Sequence, residues 1–98
     1  MVGVFVTFSY QDSFDEQALR KIALTARSRF EAMPGLRSKA FTLDPTRRQA
    51  VNFYVWDSED AAKAFFTDET LQRVTALYGV RPNMEFVQIA TLVENKQP

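Results

Sequence analysis

Asn52-Phe53-Tyr54-Val55-Trp56-Asp57-Ser58-Glu59-Asp60-Ala61-Ala62 carries a strand straight into a capped helix. Alternate side chains of a strand leave opposite faces, so Asn52, Tyr54 and Trp56 share one side while Val51, Phe53 and Val55 share the other. Neither side is polar enough to face water. A strand that is apolar on one side and aromatic with hydrogen-bonding tips on the other implies a sheet covered twice, once by a core and once by a ligand cavity or a partner subunit.

Working outward, Val4, Val6, Phe8 and Tyr10 alternate with Phe5, Thr7 and Ser9, a β pattern rich in branched and aromatic types. Ser13 and Glu16 fit a capping box for a helix whose apolar stripe is Phe14, Ala18, Leu19, Ile22, Ala23, Ala26 and Phe30. Arg20, Lys21, Arg27 and Arg29 fall largely outside that stripe. Met33-Pro34-Gly35 ends the helix, and the strand-like Leu36 to Leu43 turns through Asp44-Pro45-Thr46-Arg47-Arg48-Gln49 into the strand of Asn52. Downstream, Asp57 or Ser58 caps a helix that turns Ala61, Ala62, Ala64, Phe65 and Phe66 inward and bends at Thr67-Asp68-Glu69. It resumes with Leu71, Val74, Leu77 and Tyr78 and stops at Gly79. Pro82 opens a last strand, Met84 to Val93, before a polar tail from Glu94 to Pro98.

Strand, helix, strand, strand, helix, strand predicts a ferredoxin-like α+β subunit over residues 1–98: one antiparallel sheet with both helices on one face. The other face is left bare. It is expected to show Tyr54, Trp56 and several aliphatic residues, an apolar patch larger than a monomer normally tolerates. Ninety-eight residues build one core with little chain left for a second cover, so a second copy of the sheet is the expected partner.

Composition narrows the chemistry. Lys plus Arg and Asp plus Glu number 12 each, so no long-range field draws the chain to nucleic acid or an anionic membrane. With no cysteine and no histidine, thiol nucleophiles, thiolate zinc sites and the default general base are excluded. Val4-Phe5-Val6-Thr7 is similar to the strand-one motif of RNA-recognition domains, but Arg48-Gln49-Ala50-Val51 has neither the glycine nor the stacking ring their third strand needs. Ser9-Tyr10-Gln11-Asp12-Ser13 is not the glycine-rich anion loop of an acylphosphatase-like fold. The Met1 to Val6 start lacks a basic leading region and turns polar by Ser9, so neither a signal peptide nor a spanning helix is expected, and a cytoplasmic protein without membrane or nucleic-acid partners is.

Three runs carry a family resemblance: Pro34-Gly35-Leu36-Arg37-Ser38-Lys39, Tyr54-x-Trp56-x-Ser58-x-x-Ala61-Ala62, and Leu77-Tyr78-Gly79-Val80-Arg81-Pro82. They look like the YdhR-type monooxygenases, in the antibiotic-biosynthesis-monooxygenase branch of the dimeric α+β-barrel superfamily, from Phe5 to Val93. The resemblance implies a homodimer joined through its sheet faces, and a pocket between sheet and helices for a small aromatic or phenolic molecule. It also implies oxygenation of that molecule without a cofactor or metal. Asn52 and Trp56 resemble the asparagine and tryptophan that quinone-forming relatives carry on the third strand. Carried over, Asn52 donates to a substrate oxyanion, Trp56 packs or relays electrons, and Tyr54 between them supplies a hydrogen bond. Lys39, Arg37, Phe65 and Tyr78 are the candidate substrate-binding residues. Haem degradation through an imidazole ligand has no support in a chain without histidine, and any base is a tyrosine, Lys39, a carboxylate or the substrate's own acidity. The competing class is a non-catalytic small-molecule-binding or interaction domain on the same dimer, in which Trp56 bridges sheet and helix and Asn52 satisfies neighbouring strands.

Overall fold

The computed structural model describes residues 1–95. Its elements are β1 (Val2–Ser9), α1 (Glu16–Phe30), β2 (Leu36–Asp44), β3 (Gln49–Trp56), α2 (Glu59–Phe65), α3 (Asp68–Tyr78) and β4 (Asn83–Gln88). The strands lie in the order β2-β3-β1-β4 with every neighbouring pair antiparallel, which is the ferredoxin-like sheet.

Helix ends follow local chemistry. Asp15, not Ser13, caps α1: its Oδ1 accepts from the Ala18 amide at 3.1 Å, because the helix opens two residues later than a Ser13 cap would require. Ser58 caps α2 by accepting from the Ala61 amide at 3.1 Å. Thr67 then starts a separate helix, accepting from the Thr70 amide at 3.2 Å, so the expected bend is a break between α2 and α3. Gly79 closes α3 in the left-handed region at φ 83°. Three stripe assignments shift: Ala18 and Ala64 are exposed, and Leu77 is 55% exposed, because each helix turns a narrower stripe to the sheet than its periodicity suggests.

The last strand is shorter than its apolar run. β4 pairs with β1 from Thr7↔Asn83 to Val2↔Gln88, so the ladder ends where β1 begins. The chain then crosses toward β2: the Ile89 amide donates to the Met1 carbonyl at 3.2 Å, and Glu94 lies 3.9 Å from Arg37. Lys96 to Pro98 of the expected tail lie outside the described residues.

Register decides the faces. Tyr54 pairs with Val4 and Asn52 with Val6, and these lie beneath the helices with Val2, Phe8, Ala50 and Trp56. Tyr54 and Trp56 are 3% and 1% exposed, so the expectation that they decorate the bare face is corrected. That face carries Phe5, Phe53, Val51 and Thr7 instead. Phe5 and Phe53 meet with ring centroids 4.6 Å apart. Gly3 makes room for them, since a Cβ there would stand 3.0 Å from both Phe53 and Val87.

Gly35 serves the covered side. Its φ of 81° lets the loop after α1 turn, its carbonyl accepts from the Asp57 amide at 2.8 Å, and an added Cβ would meet that of Ala61 at 2.9 Å. The loop, the end of β3 and the start of α2 are thereby held in contact.

Candidate functional site

Between α1, α3 and the sheet lies a cavity of about 390 Å³. α1 contributes Ile22, Ala26, Arg29 and Phe30, while β2 contributes Lys39 and Phe41. Asn52 and Tyr54 come from β3, Phe65 from α2, and Thr70, Arg73, Val74, Leu77 and Tyr78 from α3. A second groove of about 360 Å³ adjoins it under α1 and shares Phe41, Asn52 and Tyr78.

Its polar floor is built on β3 and the end of α3. Asn52 is 4% exposed, and its Nδ2 donates to the Tyr78 hydroxyl at 3.1 Å. Tyr78 is fixed at three points: its ring stacks on Phe8 with centroids 3.8 Å apart, its hydroxyl accepts from Asn52, and its carbonyl accepts from the Tyr10 hydroxyl at 2.7 Å. Burial pushes the Tyr78 hydroxyl pKa up, with the Asn52 bond acting in the opposite direction. Burial also raises Tyr54 well above the usual phenol range, and the neighbouring Tyr78 adds to the effect. Both tyrosines are therefore protonated at neutral pH and serve as hydrogen-bond donors rather than bases.

Lys39 supplies the contrasting group. Its Nζ sits 3.4 Å from the ring centroid of Phe30, 4.0 Å from that of Phe41 and 4.3 Å from that of Tyr54. Among the described residues no carboxylate pairs with it. Burial lowers its pKa to about 7, while the ring faces favour the charged form. An amine so placed exists in both protonation states near neutrality.

The sequence-predicted residues divide into two groups. Asn52, Tyr54, Lys39, Phe65 and Tyr78 line one cavity. Trp56 lies beside it: its indole stacks on Tyr54 at 6.0 Å, meets Phe65 and Phe66 at 5.4 and 6.0 Å, and leaves Nε1 buried with no hydrogen-bond partner. Arg37 leaves the face of Lys39 at a β-bulge between Leu36 and Ser38 and pairs outside with Asp57, at 3.6 Å, and Glu94. Sequence reasoning missed Arg73, Thr70 and the anchoring role of Tyr10. Tyr10 had a signal, since it continues the alternation of Val4, Val6 and Phe8. Arg73 and Thr70 had none, because a polar pair one turn apart on a helix reads as solvated.

Among the described residues no three His, Cys, Asp or Glu side chains cluster to hold a metal. Among those residues, too, no helix is long and apolar enough to cross a membrane.

The family described as "Putative mono-oxygenase ydhR" matches residues 4–87. No curated protein matches significantly. Among solved structures, a monooxygenase from the gene ActVA-Orf6 of Streptomyces coelicolor, in complex with nanaomycin D, superposes with a TM-score of 0.68 at 19% identity. That match covers 97% of this chain and 92% of the other. SnoaB, a cofactor-independent oxygenase from Streptomyces nogalater seen as an asparagine-to-alanine mutant, gives 0.66 at 15% identity over 96% and 97%. A protein of unknown function from Nitrosomonas europaea gives 0.74 at 17% identity over 98% and 95%. These likenesses establish the fold.

Proposed function

The chain belongs to the ydhR mono-oxygenase family, and on that premise we propose that it is a cofactor-independent monooxygenase for a small phenolic compound held in the cavity between sheet and helices. The observation that carries this reading is the pairing, over one cavity, of an amine with a pKa of about 7 and a set of protonated donors, Asn52, Tyr54 and Tyr78.

Neutral Lys39 accepts the phenol proton, and the resulting ammonium lies beside the phenolate. Asn52 and the two tyrosines donate to the oxyanion, in surroundings where few competing water contacts weaken those bonds. The electron-rich anion reduces oxygen directly. One oxygen atom bonds to ring carbon and ends as the new quinone carbonyl, the other leaves as water, and the substrate supplies every electron and the protons of that water. Phe30, Phe41 and Phe65 orient the ring. Trp56 acts through Tyr54, on which it stacks, as a positioning residue.

The active form is a homodimer. Phe5, Phe53, Val51 and Val87, with Thr7, Thr42 and Glu85 among them, make a mainly apolar sheet face on the side away from α1, α2 and α3, and a second copy of this face is the complement the family resemblance implies. The likeness to SnoaB, a cofactor-independent oxygenase, and to the ActVA-Orf6 monooxygenase supports this reading.

The test is oxygen uptake in metal-free buffer by the purified protein with a panel of phenols and quinols, with binding followed through Trp56, the one tryptophan of the chain. Uptake that is stoichiometric with quinone formation is expected. Binding without uptake would replace the enzyme by a non-catalytic binding domain.

A further inference from the structure

The protein carries no net charge, yet the cavity does. Its charged lining residues are Arg29, Lys39 and Arg73, and no aspartate or glutamate joins them. The adjoining groove repeats the bias with Arg20 and Arg27. Elsewhere Arg37 pairs with Asp57 and Glu94, Arg47 with Asp44, and Lys63 with Glu59, whereas Lys21, Arg48 and Arg81 stand singly on the exposed surface and do not line the cavity with Lys39. Arg20 pairs with Glu16 one turn earlier on α1. Arg29, Lys39 and Arg73 have no ion-pair partner among the described residues; Arg73 donates only to the Thr70 hydroxyl, at 3.2 Å.

Arg29 and Arg73 are exposed and come from α1 and α3, the two helices that bound the cavity, whereas Lys39 is half-buried among rings. Two exposed arginines lining one cavity, neither of them ion-paired among the described residues, suit a planar, bidentate anion. The aromatic walls beneath suit a flat ring.

We propose that the molecule this cavity takes is an aromatic acid, whose ring lies against Phe30, Phe41 and Tyr54 and whose carboxylate is received by Arg29 and Arg73. The proposal rests on the reading of the cavity as the substrate site and adds a charge to that substrate. It also gives the arginines a function beyond affinity. They hold one end of the molecule so that the phenolic end points at Lys39 and Asn52, and without them a neutral phenol has no fixed orientation.

The experiment compares hydroxynaphthoate, its methyl ester and naphthol by calorimetry and Trp56 fluorescence, with the full chain at low and at high salt. The acid should bind about tenfold or more tightly than the ester, since one charge-assisted pair accounts for that ratio. The gap should narrow at high salt, where the screening length drops to a few ångström. In the double variant R29Q/R73Q, both changes lying on exposed side chains, the acid should fall to the affinity of the ester while the ester itself is unchanged. The separate variant Arg20→Gln, in the adjoining groove, should leave the acid-to-ester ratio intact. Equal affinity of acid and ester in the unaltered protein overturns the aromatic-acid proposal and leaves the cavity reading standing. No binding of any of the three overturns both. An acid preference that survives R29Q/R73Q overturns the assignment to these arginines.

Discussion

The two faces of one sheet use the same kinds of residue to opposite ends. On the covered face β3 presents Ala50, Asn52, Tyr54 and Trp56; on the opposite, open side the same strand presents Val51 and Phe53, both partly exposed, while Val55 is buried. Both are aromatic and largely apolar. The open face also holds Thr7, Thr42 and Glu85, but on the covered face the polar tips converge: Asn52 reaches Tyr78, Tyr54 lies beside them, and Lys39 enters from β2. A broad, mainly apolar surface offers area but little direction, which suits a copy of itself. An apolar surface with a few fixed donors selects a small molecule and orients it.

The contrast is broken most sharply at Phe53. Phe53→Asp puts a charge in the centre of the open face and should abolish self-association at micromolar concentration, as read by light scattering, with the helical signal retained. A wild-type protein that already scatters as an 11.2 kDa monomer would leave the open face without its assigned partner. Lys39→Met should lower kcat by about a hundredfold or more, the usual range for a lost proton acceptor. In the unaltered protein kcat/KM should rise through pH 7 as the amine is deprotonated, and that limb should vanish in the variant. Asn52→Ala should reduce kcat by about a hundredfold through loss of one donor, with the melting temperature moving only a few degrees. Trp56→Phe should cost turnover only a few-fold, in step with stability, since its ring contacts Tyr54 and not the cavity.

Lys39→Met also sharpens the comparison through stability. Burial lowers the folded-state pKa of this lysine to about 7, below its unfolded value. Below pH 7 the lysine is charged in both states, and its desolvation destabilises the fold in full. Between pH 7 and the unfolded pKa the unfolded chain binds the extra proton, so stability rises with pH. Removing the amine should therefore stabilise the protein at pH 6 by about 2 kcal/mol, allowing for the opposing ring contacts. That gain should shrink toward pH 10. Denaturant midpoints across this range check the sign. A gain independent of pH would mean that methionine merely packs better.

Much of this was legible along the chain because it depends on neighbours within a few residues. The hairpin at Asp44 to Gln49 follows from its turn chemistry, and the Arg47 amide does donate to Asp44 at 3.1 Å. The Ser58 cap, the break at Thr67 and the stop at Gly79 are equally local. Asn52, Tyr54, Lys39 and Tyr78 were identifiable as polar tips in apolar runs, and the structure brings all of them to one cavity. Ser13 misled because two hydroxyl or carboxylate caps stood within three residues, and the entry path of the chain chose Asp15.

Periodicity settled which residues of β3 travel together, and short-range chemistry settled the order of elements and their ends. It could not say which of the two sets faces the helices, because Phe53 and Tyr54 are both rings and shifting a strand by one residue exchanges the sides. Pairing with β1 made that choice, by setting Tyr54 opposite Val4 and Phe53 opposite Phe5. The same pairing buried the ring of Trp56, let Asn52 meet Tyr78 across 26 residues of chain, and gathered Arg29, Lys39 and Arg73 from three elements around one space. Contacts between distant residues exist only once the sheet has formed, and the charge of the cavity is a property of those contacts rather than of the composition.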